Sequence, residues 1–221
     1  MSRKLVIIGA SNALREIYGI VHAINNIAPT FEIVGALDDS MSLQGTRVGG
    51  VPVIGSLDFA ASLADDIEFV FAVGSQKTQL MRDAIFTKLG IDRSRFPAII
   101  HPKADIDVTS TIGHGCIVHP GACLGPGSHL GDFSIVAVNS ALGPDSIVQE
   151  FAMITSLVLV LSRAVVGRMA FIGSMTCILE DIQVGSFSRI GVGSVVARNV
   201  PDHALAMGSP SRVIGKNATV E

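Results

Sequence analysis

Over the C-terminal half of the chain an aliphatic residue recurs at every sixth position: Ile106, Ile112, Val118, Leu124, Leu130, Val136, Leu142, Val148, Ile154, Val160, Val166, Ile172, Ile178, Val184, Ile190 and Val196. Two residues before most of them stands a small side chain, as at Ser134, Ser140, Ser146, Ala152 and Ala164. A glycine often follows directly, as at Gly113, Gly131, Gly143, Gly167 and Gly173. A period of six fits neither a helix nor an alternating strand, and unbroken self-similarity of this length marks a solenoid. Six residues make one short flat side, and three sides close a triangular coil. The aliphatic side chains then point inward and stack on their equivalents, in about five coils that each supply burial the next one lacks. The small residues are expected to fill the space beside each corner, and the glycines to supply turn dihedrals there.

The N-terminal half has another rhythm. "KLVIIG" (4–9) is a continuous apolar run, as in a buried parallel strand. "SNALREIYGIVHAINN" follows, with Leu14, Ile17, Val21 and Ile24 on one helical face. "FEIVGALDD" predicts a second strand ending at Asp38 and Asp39, "GTRVGGVPVIGS" predicts turns, and "IEFVFAVGS" (67–75) predicts a third strand ending at Gly74. "QKTQLMRDAIFTKLG" reads as a helix stopped by Gly90. This is βαβ alternation, hence a small parallel sheet with helices. The expected division is an α/β domain over 1–97, a coil of six-residue repeats over 98–200 and a tail over 201–221.

Composition narrows the function. A formal charge of −3 leaves no basic footprint for nucleic acid. The longest aliphatic run, "LVLVL" (157–161), falls far short of the ~20 residues that cross a bilayer. The basic start and short apolar core of the first residues read as a strand entering a helix rather than as a leader. Three cysteines without a CxxC spacing suggest reduced thiols and the cytoplasm. In "ITSLVLVLSRAVV", Val158 and Val160 take inward slots, so Leu157, Leu159 and Leu161 point outward. Such a row is expected to be buried against another subunit; packing against the chain's own N-terminal domain is the alternative.

The two halves together resemble the sugar O- and N-acyltransferases that join a nucleotide-sugar-binding domain to a left-handed parallel β-helix. Sialic acid O-acetyltransferases and N-acetyltransferases of UDP- or GDP-linked amino sugars are of this kind. The motifs that carry the resemblance are "IIGAS" (7–11), "LDD" (37–39), "GGVPVIGS" (49–56), "AVGS" (72–75), "IIHPKADI" (99–106) and "GVGSVVARNVPDHALAMGSPSRVIG" (191–215). The resemblance implies a Rossmann-like domain holding the nucleotide-sugar through the turn Gly9, Ser11, Asn12 and Ala13, through Asp38 and Asp39, and through Gly74. On the residues alone, the aspartates equally suit a solvated strand end. The resemblance also implies acetyl-CoA or another acyl-CoA in a groove between adjacent prisms of a homotrimer. It would be contacted by Met153, Gly173, Ser174, Gly191, Val192 and Gly193; corner geometry explains those glycines equally well. No metal is implied, and His114 with His119 lacks the carboxylates a metal site would need.

One departure is chemical. Aligned on Phe151, the family's basic histidine falls on Pro144, its acidic partner on Asp145, a second histidine on Met153, and an Asn-Thr pair on Ala137 and Val138. A histidine near its ordinary pKa of ~6.5 accepts a proton at neutral pH; proline cannot. Two readings follow. The chain transfers an acyl group to a nucleotide-linked sugar by positioning alone, or it is a catalytically silent homologue with a binding or regulatory role.

Overall fold

The structure, a computed structural model, describes residues 2–74, 78 and 80–217. Contacts divide the chain into two compact units, Met1–Pro102 and Lys103–Glu221.

The first unit is built on one buried strand. β1 (Arg3–Ile8) buries its last four residues completely. It lies between β2 (Phe31–Leu37) and the strand Glu68–Phe71, parallel to both. This is why "LVII" is continuous rather than alternating: both faces of a central parallel strand are covered. Ser11 caps α1 (Asn12–Asn25) by accepting from the Ala13 N–H, and α1 buries Leu14, Ile17, Ile20 and Val21. Ile20 is in that stripe, and Ile24 is only half-buried at its edge.

The Gly-rich stretch expected to be all turns contains a hairpin. β3 (Arg47–Val48) pairs antiparallel with β4 (Val51–Gly55) across Gly49 and Gly50, both at positive φ. β4 then joins β2 in parallel, completing a five-stranded sheet with β5 (Glu68–Phe71) in the order β3-β4-β2-β1-β5. The strand expected to reach Gly74 stops at Phe71. α2 (Met81–Leu89) ends at Gly90 in the left-handed region. The start expected for that helix, at Gln76, lies outside the described residues.

The second unit is a left-handed parallel β-helix. Two-residue strands pair in parallel at a spacing of one coil, eighteen residues, as Cys123 with Ala141 and Leu124 with Leu142. One face stacks Leu124, Leu142, Val160, Ile178 and Val196. The second stacks Leu130, Val148, Val166 and Val184, and the third Val118, Val136, Ile154, Ile172 and Ile190. From Val118 to Val196 every one of these inward residues is at most 1% exposed. Ser134 and Ser140 lie buried beside the corners, where their hydroxyls donate to the carbonyls of Gln149 and Thr155. The chain continues the stacking beyond the repeats: Ala204–Gly208 pairs in parallel with Arg189–Ile190, then antiparallel with Ser211–Lys216.

The glycines that follow the inward aliphatics do something other than supply turn dihedrals. None of Gly113, Gly125, Gly131, Gly143, Gly167 or Gly173 has a positive φ. A Cβ on Gly143 would stand 2.9 Å from the Ser162 nitrogen, and one on Gly173 would stand 2.7 Å from the Val192 nitrogen. These positions are glycine because the next coil's backbone passes directly over them. The left-handed residue comes two positions later, and from Phe133 to Phe187 it is never glycine. Phe133, Asn139, Asp145, Phe151, Leu157, Arg163, Met169, Met175, Asp181 and Phe187 all hold φ between 55° and 62°. The left-handed turn aims each N–H at the neighbouring coil, as Asp145 to the Pro126 carbonyl and Leu157 to the Val138 carbonyl. Coil-to-coil bonding thus holds side-chain-bearing residues in a region they otherwise avoid.

Candidate functional site

A cavity of about 430 Å³ opens in the first unit at the C-terminal ends of β1, β2 and β5. The sheet order explains its place. The chain leaves β1 toward β2 on one side and returns to β5 on the other, and ligands in open parallel sheets bind where the order switches. Gly9, with φ 97°, turns the chain there; a Cβ on it would meet the Val73 side chain at 2.8 Å. The Ser11 hydroxyl donates to the Ala72 carbonyl at 3.0 Å and so ties the turn to the chain after β5.

Asp38 closes the turn from the β2 side. One of its carboxylate oxygens accepts from the Ala10 N–H at 2.8 Å, the other from the Ser40 N–H at 2.9 Å. Asp39 accepts from the Leu57 N–H at 2.8 Å. The Lys88 ammonium lies 3.8 Å from Asp39 and 2.9 Å from Asp58. Hydrogen bonding to Asp58 first, and the charge of Asp39, hold the Lys88 pKa above its ordinary value. Apart from Thr78, the rest of the wall is apolar and includes Leu37, Leu57, Val73, Met81, Ala84 and Ile85.

Of the residues expected to meet a nucleotide-sugar, Gly9, Ser11, Asp38 and Asp39 line this cavity together. Asn12 and Ala13 belong to the first turn of α1 and Gly74 follows Val73; none of the three is in the lining. Sequence reasoning missed the α2 wall. Its signal was present, because Met81, Ala84, Ile85 and Lys88 stand at i, i+3, i+4 and i+7 on one helix face.

In the β-helix, Pro144 and Asp145 form an exposed corner. The Pro144 carbonyl accepts from the Arg163 N–H at 2.9 Å. Arg163, one coil on from Asp145, grips Asp181 of the following coil with two bonds of 2.7 and 2.9 Å. That grip raises the arginine pKa and lowers that of Asp181. The corner therefore carries a ladder of acid and base side chains. His129 instead lies on a flat face, its Nδ1 2.7 Å from the Thr111 hydroxyl and its strand paired with Ile147.

The residues expected to meet acyl-CoA gather at another corner, with one exception. Gly191 and Val192 pass directly over Gly173, and the Gly193 N–H donates to the Ser174 carbonyl at 2.8 Å. Gly193 has φ 70° and open space where a Cβ would be. The Ser174 hydroxyl donates to Thr155 at 3.1 Å. Met153 stands earlier on the preceding coil, on the flat face between Ile135 and Phe171. An exposed apolar ridge of Val138, Leu157, Leu159, Met175 and Val192 runs up the same side, with Leu157 at 52% and Met175 at 60% exposure. Leu161 is half-buried.

Comparison with known proteins bears on both halves. Residues 4–89 match the family described as the PglD N-terminal domain. No curated protein matches the chain in sequence. The acetyltransferase domain of PglB from Neisseria gonorrhoeae, solved in complex with acetyl coenzyme A, is similar in structure, with 28% identity and a TM-score of 0.85. The match covers 97% of this chain and 100% of that one. A histidine-to-asparagine mutant of perosamine N-acetyltransferase from Caulobacter crescentus, solved with CoA and GDP-perosamine, shares the fold at 23% identity and a TM-score of 0.81. That match covers 96% of this chain and 97% of the other. WeeI from Acinetobacter baumannii shares the fold at 22% identity and a TM-score of 0.74, over 95% of this chain and 99% of that one. The likeness to the PglB acetyltransferase domain thus runs through both units.

Proposed function

We propose that the chain is an acyl-CoA-dependent transferase that acylates a nucleotide-linked amino sugar or related sugar. The observation that carries this reading is the match, end to end, with the acetyltransferase domain of PglB holding acetyl coenzyme A. The cavity of the first unit is the nucleotide-sugar site. It has the position, the glycine turn and the apolar walls that a nucleoside requires. The acyl donor lies along the corner of Gly173, Ser174, Gly191, Val192 and Gly193, recognised mainly by backbone. Leu157, Leu159, Met175 and Val192 are exposed apolar side chains in a row, which supports a homotrimer packed through the prisms. A cytoplasmic location fits three cysteines without a CxxC spacing.

The chemistry requires the acceptor nitrogen or oxygen to attack the thioester carbonyl. The carbon–sulfur bond breaks, and the coenzyme A thiolate takes up the acceptor's proton. With Pro144 where the family has its base, the chain supplies positioning rather than proton abstraction, a large contribution by itself. The rate then rises with the unprotonated fraction of the acceptor amine rather than with the titration of an enzyme histidine.

The test is acetyl-CoA with a panel of UDP-, GDP- and dTDP-linked amino sugars, following free thiol. Transfer is expected, and Pro144→His is expected to raise kcat toward the ~10²–10⁴-fold that a positioned base contributes. The second reading is a silent homologue. It is favoured by the loss of polar side chains at Ala137, Pro144 and Met153 together. Binding of neither acetyl-CoA nor any nucleotide-sugar in calorimetry would decide for it.

A further inference from the structure

We infer that Lys88 is the cation that meets the nucleotide's diphosphate, and that it leaves Asp58 when the ligand enters. The inference rests on the nucleotide-sugar reading of the cavity and concerns which part of it holds the charge.

A glycine turn before a helix normally offers its amides to a phosphate. Here the first amides are already taken. The Gly9 N–H donates to the Leu37 carbonyl at 2.8 Å, and the Ala10 N–H donates to Asp38 at 2.8 Å. The turn that leads into α1 therefore has the protein's own carboxylate seated against it. A diphosphate placed there would meet like charge across the Asp38 side chain.

The counter-charge lies on the opposite wall. Among the described residues lining the cavity, Lys88 is the only cation. It follows Met81, Ala84 and Ile85 on the face of α2 that walls the cavity. A nucleoside against those apolar side chains would carry its phosphates toward the ammonium. The present partners are exchangeable. Lys88, Asp39 and Asp58 are each more than half exposed, at 51%, 53% and 76% of their side chains. Exposed carboxylate–ammonium pairs are weak and screened, and an ammonium on a flexible stem redirects its three donors easily. Two adjacent phosphate charges outcompete one carboxylate. Asp39 is held in place by the Leu57 N–H, so Asp58 is the partner to be given up.

Calorimetry on the chain of residues 1–221 tests this with UDP, GDP and dTDP, each against its nucleoside, using wild type, Lys88→Gln and Asp58→Asn. Loss of one charge-assisted bond predicts about tenfold weaker binding of the preferred diphosphate to Lys88→Gln. Nucleoside affinity is expected to be unchanged, and the salt dependence of diphosphate binding to become shallower. Asp58→Asn removes the competitor, so it is expected to tighten diphosphate binding. Diphosphate binding by Lys88→Gln equal to wild type would overturn the inference and leave the nucleotide-sugar reading standing. Weaker binding to Asp58→Asn would overturn it too, by showing that the pair only braces the cavity. Failure of wild type to bind any of the three diphosphates would overturn both. Thermal melts of each variant verify that it is folded.

Discussion

At the scale of single residues, glycine plays three physically different parts. Gly9 is glycine because its φ is 97° and the Val73 side chain leaves no room beside it. Gly173 has ordinary dihedrals but lies under the backbone of the next coil. Gly19, inside α1, has nothing within 4 Å of where a Cβ would be. The same substitution should therefore act in opposite directions. Gly173→Ala must push Val192 away and is expected to cost about 1–3 kcal/mol, as overpacking does. Gly19→Ala removes backbone freedom from the unfolded chain at no steric cost and is expected to stabilise by about 0.5–1 kcal/mol. Urea melts of the two variants decide this, and equal shifts of the same sign would refute the distinction.

At the scale of elements, the corner ladder responds to pH with a definite sign. Arg163, bonded twice to Asp181, holds that carboxyl below its ordinary value. A depressed folded-state pKa contributes stability above the unfolded-chain value of about 3.9, and that contribution is lost as pH falls through the folded value. Both side chains are exposed, so the effect is small and screened by salt. Asp181→Asn is expected to lower the melting temperature near neutral pH. The difference from wild type should shrink as the pH drops below about 4 and as salt is raised. A difference that persisted at acid pH would mean that the asparagine acts through something other than the ion pair.

At the scale of the whole molecule, two features carry the argument. The interior is one continuous aliphatic column per face, each layer at most 1% exposed from Val118 to Val196, so damage in one coil spreads to its neighbours. Leu142→Ala, central in its column, is expected to cost about 2–5 kcal/mol. The second feature is the exposed ridge that includes Leu157, Leu159 and Met175. Packed against other copies it becomes an interface core, and a charge there should break the assembly. Leu159→Glu is expected to sediment as a single chain where wild type sediments as a trimer. A wild-type monomer would remove the trimer from the proposal while leaving the fold untouched.

The β-helix could be read from the amino-acid order because its register is a covalent count. Once six residues make a side, every aliphatic from Ile106 to Val196 has its direction assigned without knowing any partner. The βαβ rhythm was legible for the same reason, in runs such as "LVII" and in the apolar stripe of α1. What the order of residues withheld depends on approaches between distant segments. Gly173 looked like a turn residue until Val192 was seen passing over it. The "RVGGVPVIG" stretch looked like turns until its second limb was found paired with β2. Asp38 suited a ligand contact, yet its carboxylate already bonds the Ala10 and Ser40 amides. Lys88 became part of a site only when α2 folded back beside the ends of β1, β2 and β5. Periodicity is local and survives in one dimension, whereas a cavity exists only where chain segments far apart in sequence leave a space between them.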